Sequence, residues 1–222
     1  MKTVTDKAAR DKRGKSKNAR SRSDEEKDLR QQQILEAAII EFDSNGYEKT
    51  SMGAIAKRAG LSRTLVNFYF GDKEGVHAEI ERKALASMTE MCVSAAKRQK
   101  LGIDKLLAIG RAYVRFQKKY PGYFEALARK EDGQIQKQLE SPTVDSTQVI
   151  AEAINTGIAD GTVKHNFNNL TQASLALWAT AHGFIVIAEN KGTVLKAHWG
   201  VNASTLLKSL DIAITSMFSN SD

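Results

Sequence analysis

Apolar residues repeat every three or four positions through most of the chain, which is the spacing of amphipathic helices. The first clear repeat runs from about Leu29 to Asn45, and Gly46 then ends it. A long helix is predicted from the Asp72 cap to about Lys97. Further helices are predicted, approximately, over 104–120, 121–130, 141–158, 170–190 and 203–218. No segment alternates long enough to favour a sheet, so the pattern predicts an all-α protein.

Residues 52–70 have the pattern of two short helices joined by a sharp turn. Ala56 allows the second helix to cross closely over the first, and Gly60 can adopt the left-handed conformation that such a turn requires. Ser62 can then cap the second helix. The apolar side chains expected to face inwards are Ile55, Ala59, Leu61, Val66 and Tyr69. This arrangement is typical of a DNA-binding helix-turn-helix, although an ordinary helical hairpin shares the spacing.

The second of these helices, about 63–70, is predicted to bury Val66 and Phe70. The side chains predicted to face outwards are Arg63, Thr64, Asn67 and Phe68. Arg63 can pair with guanine and Asn67 with adenine in the major groove, and each such contact is worth about 1–3 kcal/mol of discrimination. The alternative for both residues is phosphate binding or plain solvation. The motif therefore predicts a recognition helix but does not predict the sequence of its operator.

The segment NGYEKTSMGAIAKRAGLSRTLVNFYFGDKEGV resembles the N-terminal domain of the TetR family of bacterial transcriptional regulators. The likeness covers about residues 29–80, and the rest of the chain matches in architecture alone. The resemblance implies an all-helical homodimer with an N-terminal three-helix head. It also implies a larger C-terminal domain that binds a small molecule and thereby controls the two DNA-reading heads.

The resemblance also implies roles for single residues in the head. Base-facing positions of the family are matched by Arg63, Thr64 and Asn67, and positions against the sugar-phosphate backbone by Leu65, Phe68 and Tyr69. Phosphate contacts are implied at two helix starts, Thr50–Ser51 and Asp72–Lys73, where free backbone amides can hold an anion. Asn67 is a departure, because the family most often has tyrosine there. A polar contact, directed at adenine, is possible in its place.

Positive charge is concentrated at the start of the chain. Residues 1–23 hold nine Lys or Arg against Asp6 and Asp11, which gives +7 and equals the net charge of the whole chain. The segment has few apolar residues and is expected to be disordered alone. Arg20 and Arg22 lie just before the first helix, where a basic arm could enter the minor groove. A solvated tail is an equal alternative.

Composition excludes several other classes of protein. The 222 residues are 41% hydrophobic and 27% charged, which is typical of a soluble globular protein. Cys92 is the sole cysteine, and the longest apolar stretch, Leu175–Ala188, is shorter than the roughly 20 residues that cross a bilayer. We therefore expect a cytoplasmic protein with no membrane segment. No metal-ligand spacing, nucleophile elbow, phosphate loop or cofactor motif is present, so we expect no enzyme, catalytic residue, cofactor or metal.

The last two predicted helices are apolar over more than one face, and the resemblance places the dimer interface there. The interface residues are expected to be Leu177, Phe184, Ile187, Leu206, Leu210, Ile214 and Met217. Burial inside one subunit is the alternative.

Aromatic and methionine side chains suit a hydrophobic or aromatic effector, although most of them are expected to be core. The effector candidates are Met88, Met91, Cys92, Tyr113, Phe116, Tyr120, Tyr123, Phe124, Leu127, Trp178 and His182.

These observations predict three segments: a basic arm over 1–23, a helix-turn-helix domain over 24–75, and an effector-binding and dimerisation domain over 76–222. The predicted function is that of a homodimeric repressor, released from a palindromic site in double-stranded DNA by a small effector. One alternative is an activator of the same family. The other is a sequence-tolerant nucleic-acid binder in which the basic tail supplies most of the affinity.

Overall fold

The computed structural model of the chain describes residues 5–128, 146–165, 167 and 169–220; over 5–23 and at 128 and 146 it describes the backbone alone. The described residues form an all-α fold with an N-terminal helix-turn-helix, which confirms the predicted fold class. The chain divides into two compact units, Met1–Ile80 and Glu81–Asp222. The predicted boundary followed residue 75.

The first unit contains three complete helices: α1 (Thr5–Asn45), α2 (Met52–Ala59) and α3 (Arg63–Phe70). The first residues of α4 (Lys73–Lys97) complete it. Ile34 of α1, Ile55 of α2 and Val66 of α3 are fully buried. Because each helix contributes one apolar stripe, the three helices share a small core and keep their other faces in solvent.

Helix α1 begins at Thr5, far before the predicted start near Leu29. The backbone of residues 5–23 is therefore helical, which differs from the predicted disorder of the basic segment. The segment is rich in alanine, lysine and arginine, and these residue types have high helix propensity. Since the apolar repeat begins only near Leu29, periodicity alone could not reveal this polar extension of the helix.

The second unit contains most of α4 and five further helices among the described residues. They are α5 (Gly102–Lys119), α6 (Pro121–Ala128), α7 (Ser146–Ala159), α8 (Leu170–Trp199) and α9 (Ala203–Phe218). Helix α5 packs against α6, α7, α8 and α9, and α8 also contacts α7 and α9. Leu106 and Phe116 of α5 are fully buried at the centre of this core. The predicted start of α7 near residue 141 lies outside the described residues.

Two glycines bring α5 and α7 into close contact. A Cβ added at Gly102 would lie 2.1 Å from the Cα atom of Gly157, so only glycine fits there. The backbone amide of Gly102 donates to Asp160 Oδ2 at 2.8 Å, and the amide of Ile103 donates to Thr162 Oγ1 at 3.2 Å. Hydrogen bonds from Thr162 and Gly102 lower the pKa of the Asp160 carboxyl group. The loop after α7 therefore caps the start of α5.

Helix α8 continues to Trp199, beyond the predicted end near residue 190. Gly200, with φ 66°, ends the helix in the left-handed conformation, and its amide donates a hydrogen bond to Lys196 O. With 30 residues, α8 is long and apolar enough to cross a membrane by length and composition. Its inner face is buried in the unit at Leu177 and Ile185, against neighbouring helices.

Candidate nucleic-acid interface and effector cavity

The turn between α2 and α3 has the predicted geometry. Gly60 adopts φ 65° and ψ 29°, and its amide donates to Lys57 O at 3.2 Å. The amide of Leu61 donates to Ala56 O at 3.0 Å, which closes the end of α2. Ser62 then accepts a hydrogen bond from the Leu65 amide at 3.2 Å and caps α3. The helix-turn-helix is therefore formed as its sequence predicts.

Helix α3 buries one side chain and exposes four. Val66 is 0% exposed, whereas Phe70, which was predicted to be buried, is only half-buried because it lies in the last turn. Four residues of α3 face solvent: Arg63, Thr64, Asn67 and Phe68. Tyr69 is half-buried and contacts the Phe68 ring edge-on at 5.5 Å between centroids. The predicted reading face is therefore available on the surface.

A buried carboxylate holds α2 against α1. Glu41 is 8% exposed and accepts from Arg58 Nε at 2.5 Å and from Asn45 Nδ2 at 2.8 Å. The charge of Arg58 is thereby matched within the unit. Although Arg58 belongs to the basic run of the head, its guanidinium is held on the α1 side, so it positions α2.

Thr50, which was predicted to contact DNA, is buried and bonded inside the turn between α1 and α2. It is 4% exposed, and its hydroxyl group donates to Gly46 O at 2.8 Å and lies 3.1 Å from Glu41 O. Its amide donates to Tyr47 O at 3.2 Å. Both groups are used inside the turn, so Thr50 fixes the path from α1 to α2. Ser51 is exposed and caps α2 through the Ala54 amide.

The start of α4 also differs from the expected phosphate site. Asp72 accepts from the Gly75 amide at 2.7 Å, so a carboxylate already occupies this helix N-terminus. Lys73 Nζ donates to Tyr47 O at 2.9 Å and lies 4.2 Å from the centroid of the Tyr47 ring. The ammonium group of Lys73 is therefore hydrogen-bonded to the turn between α1 and α2, and its predicted phosphate contact stays a prediction.

Arg20 and Arg22, the predicted minor-groove contacts, lie within α1. Their side chains lie outside the part of the chain whose side chains the structure describes. Their DNA-contacting role therefore stays a prediction.

The second unit contains a small, partly open cavity of about 30 Å³. Four predicted effector residues line it: Met88, Cys92, Tyr113 and Trp178. The lining residues that the sequence did not indicate are Ile109, Gly110, Ile150, Leu177 and Ala181. Several of them lie three or four positions from a predicted residue on the same helix, so helical spacing was a usable signal. The volume holds about one or two water molecules, far below the roughly 300 Å³ of a typical ligand site.

A polar relay forms one wall of the cavity. Trp178 Nε1 donates to Tyr113 Oη at 3.2 Å, and Tyr113 Oη lies 3.1 Å from His182 Nδ1. The imidazole of His182 stacks between Phe124, at 5.2 Å, and Trp178, at 5.4 Å. Tyr113 Oη either donates to His182 Nδ1 or accepts from it, according to the tautomer of the imidazole. Trp178, Tyr113 and His182 can make these two hydrogen bonds while all three side chains are neutral.

Burial keeps these titratable groups neutral. It raises the pKa of the Tyr113 hydroxyl to about 12 and that of the Cys92 thiol to about 11. It also lowers the pKa of His182, and the carboxylate of Glu125 opposes that shift. The cavity wall therefore carries no charge at neutral pH, which suits an uncharged ligand.

The other predicted effector residues lie around the relay and within the core. Phe116 and Phe124 are buried, and the Tyr120 ring is tilted against the rings of both Phe116 and Tyr123. Met91, Tyr123 and Leu127 are partly buried against the same core. These residues support the cavity wall and are absent from its lining.

The predicted dimer residues separate into two groups. Leu177, Leu210 and Ile214 are buried in the core of their own subunit, which corrects their assignment to the interface. Phe184, Leu206 and Met217 are half-buried, and Ile187 is 45% exposed. The inner faces of α8 and α9 are thus covered by α5 and by each other. Sequence periodicity could not separate the two faces because both are apolar.

A capped recognition helix on a three-helix head defines the class of helix-turn-helix regulators. Residues 34–80 match the sequence profile of the bacterial regulatory proteins of the tetR family. Residues 106–205 match the profile of the tetracyclin repressor-like C-terminal domain. The chain belongs to the TetR family.

Relatives and solved structures agree with this assignment. The HTH-type transcriptional regulator BetI of Paraburkholderia xenovorans (strain LB400) is 31% identical over 62 residues, which are 28% of this chain and 32% of that protein. The chain thus aligns with only about a third of that relative's length. The TetR family regulator PfmR of Thermus thermophilus superposes with a TM-score of 0.61 at 19% identity, covering 82% of this chain and 97% of that one. A SmeT–triclosan complex gives 0.67 at 16% identity, covering 86% and 92%.

Proposed function

We propose that the chain is a homodimeric transcriptional repressor that binds a palindromic operator and is released by a small hydrophobic or aromatic effector. The observation that carries the proposal is the exposed face of α3. Its side chains are free in solvent, while Gly60 and Ser62 fix the helix that presents them. Such preorganisation is what base readout in the major groove requires.

In the proposed complex, Arg63 pairs with guanine and Asn67 with adenine. Ser51 and Tyr69 lie at positions suited to the phosphate backbone. The first unit supports this polarity, because α2 and α3 contain the exposed Lys57 and Arg63 and no acidic residue. The helical basic segment with Arg20 and Arg22 would add affinity by neutralising further phosphates.

We propose that a second copy of the chain packs against the outer faces of α8 and α9. Large apolar side chains are exposed there, at Leu175, Trp178, Val186, Ile187, Val194, Trp199 and Ile212. Exposed apolar surface of this extent is typical of an interaction site. The partner copy would also cover the half-buried Phe184, Leu206 and Met217. This explains the apolar character of α8 in a cytoplasmic protein without a membrane.

The effector is proposed to bind by enlarging the cavity beside Tyr113 and Trp178. The cavity of about 30 Å³ is too small for an effector, so binding must select a state of the second unit in which it is wider. Its neutral aromatic wall favours an uncharged aromatic compound. The structural likeness to SmeT, solved with triclosan, supports this class of ligand. A coupling of about 1–3 kcal/mol between ligand and DNA binding is typical.

Cys92 offers a direct assay for this opening. Its buried thiol, with a pKa of about 11, should react slowly with a thiol reagent at neutral pH. An uncharged phenol such as triclosan, if it enters the cavity, should change the rate of Cys92 modification by at least about threefold. An unchanged rate across a panel of such phenols would contradict the proposed effector site.

The DNA-binding proposal is tested by selecting bound fragments from the source genome at moderate salt. Wild type is compared with Arg63→Ala/Asn67→Ala. The matched control is Arg98→Ala/Asn190→Ala, which removes the same residue types from exposed positions of the second unit. Wild type and the control should enrich one palindrome, and the α3 variant should lose it. Equal recovery of unrelated fragments by all three proteins would reject sequence-specific binding and favour the sequence-tolerant alternative.

The sign of regulation needs a separate experiment. A reporter gene placed behind the selected operator should be silenced by wild type and restored by an effector. Increased transcription in the presence of the protein would favour the activator alternative.

A further inference from the structure

We propose that Phe68, together with Thr64, reads the 5-methyl group of a thymine in each operator half-site. This inference rests on the proposed DNA-reading function of α3. It adds an apolar component to the hydrogen-bonding contacts of Arg63 and Asn67, and it assigns Phe68 to a base and not to the sugar-phosphate backbone.

The four exposed residues of α3 form two rows. Arg63 and Asn67 are four positions apart and make a polar row along the helix. Thr64 and Phe68 have the same separation and make a neighbouring row, which presents a methyl group and an aromatic ring. The reading face therefore has a hydrogen-bonding side and an apolar side.

The exposure of Phe68 has no explanation in the packing of the first unit. At 79%, it is the most exposed large hydrophobic residue in the described part of the chain. Val66, on the other side of α3, supplies the buried contact. An exposed ring of this size is unfavourable in water, so it is expected to be covered in the functional state.

The ring is also held in place. Tyr69 contacts Phe68 edge-on at 5.5 Å, and Phe70 contacts Tyr69 at 6.4 Å. Tyr69 and Phe70 are half-buried, so they anchor the exposed ring to the unit. A positioned aromatic ring loses little conformational entropy on binding.

The major groove offers one apolar group that distinguishes bases, the C5-methyl group of thymine. Phenylalanine and the threonine methyl group are among the side chains that contact it. An adenine paired to Asn67 would also place a thymine on the opposite strand, within the same groove. The apolar row of α3 therefore matches thymine in chemistry, and the adjacent polar row matches adenine and guanine.

The experiment replaces single thymines of the selected operator by deoxyuridine, which lacks only this methyl group. Each replacement is made in both half-sites, and the dissociation constant is measured for wild type and Phe68→Ala. Wild type should bind one replaced operator about fifteenfold more weakly, which is about fourfold for each half-site. In Phe68→Ala, the same replacement should have a much smaller effect, because the methyl group of Thr64 alone remains in contact. Circular dichroism checks that the variant keeps its helices.

Two further variants separate the contributions of the apolar row. Phe68→Leu keeps an apolar side chain and should retain most of the uracil effect. Thr64→Ser removes only a methyl group and should weaken the effect at the same thymine or its neighbour. Asn67→Ala, in the polar row, should leave the uracil effect at Phe68's thymine unchanged.

The proposal is overturned if no thymine shows a uracil effect that depends on Phe68. It is also overturned if Phe68→Ala weakens the operator and a scrambled duplex by the same factor, because that result assigns the ring to the sugar-phosphate backbone. In both cases wild type still recognises its operator, so the DNA-reading function stands. Failure to obtain any operator would instead reject the proposed function and this inference together.

Discussion

The first unit carries its candidate site outside a small core, whereas the second unit carries its candidate site inside a larger one. In the first unit, Val66 is buried so that Arg63 and Asn67 can stay in solvent. In the second, Tyr113 is buried, and its hydroxyl group accepts from Trp178 Nε1 and lies 3.1 Å from His182 Nδ1. An outward site can meet a macromolecule without rearrangement, but a cavity this small must widen to admit a ligand.

This difference assigns different physical demands to the two units. The first must keep its turn rigid, because misplacement of a reading side chain weakens specific contacts. The second must be able to open without losing its fold. Close helix contacts such as Gly102 against Gly157 are therefore expected to define its rigid side, away from the cavity lining.

The largest stability effect is expected at the rigid side of the second unit. In Gly102→Ala, the new methyl group would lie 2.1 Å from backbone atoms of Gly157, so α5 and α7 must separate. We expect a loss of about 3 kcal/mol in the free energy of unfolding. Urea unfolding measures the loss, and hydrogen exchange should localise it to α5 and α7. As a control, Gly183→Ala meets no atom within 4 Å and should not destabilise. A Gly102→Ala protein as stable as wild type would contradict the close contact.

A smaller effect is expected from Arg58→Ala in the first unit. The substitution leaves the buried Glu41 carboxylate bonded to Asn45 but without its ion-pair partner. A loss of about 2 kcal/mol follows from leaving a buried charge poorly satisfied. Lys57→Ala, which removes the same charge from the neighbouring exposed position, is the control. If both variants unfold at the same urea concentration, Arg58 does not contribute to the packing of α2 against α1.

The cap of the recognition helix should contribute about 1 kcal/mol. Ser62→Ala removes the acceptor of the Leu65 amide, and Ser62→Asn should restore it. Hydrogen exchange of α3 and operator affinity are measured on the same samples. Both should fall in the alanine variant and recover in the asparagine variant. Weakened DNA binding that asparagine does not rescue would indicate that the Ser62 hydroxyl group itself contacts DNA.

The smallest effect is a pH dependence in the second unit. Burial lowers the pKa of His182, so the folded state favours the neutral ring. This preference stabilises the folded protein at pH values above about 6.5, the pKa of histidine in the unfolded chain. The stabilisation is lost as the pH falls through the lower pKa of His182 in the folded state. His182→Asn should therefore lose less stability than wild type between pH 7 and pH 5 in thermal unfolding. The exposed His198, changed to asparagine, serves as the control. An identical pH profile in all three proteins would contradict the burial effect.

The two units also differed in how far sequence could predict them. The turn at Gly60, the cap at Ser62 and the outward face of α3 follow from a few neighbouring residues, and the structure confirms them. The partners of Thr50 and Lys73 could not be predicted, because a sequence shows a hydroxyl group or a charge but not its partner across the turn. Their bonds to Gly46 and Tyr47 required the folded head.

In the second unit the decisive information was not local. Gly110 and Ala181 line the cavity because helices distant in sequence meet there, and small residues carry no chemical signal of their own. Leu210 and Ile214 were assigned to a partner copy, yet they fill the core of their own subunit. Both faces of α9 are apolar, so only the packing of the folded subunit could distinguish burial within the subunit from burial against a partner copy.

The central claim is that the exposed face of α3 reads bases. It is tested most directly by the ratio of dissociation constants for a scrambled duplex and the selected operator, at one fixed salt concentration. For wild type, the account predicts a ratio of about 10³ or more, as specific DNA-binding proteins show. In Arg63→Ala/Asn67→Ala the ratio should fall by at least about a hundredfold. A wild-type ratio near one, or an unchanged ratio in the variant, would contradict the account.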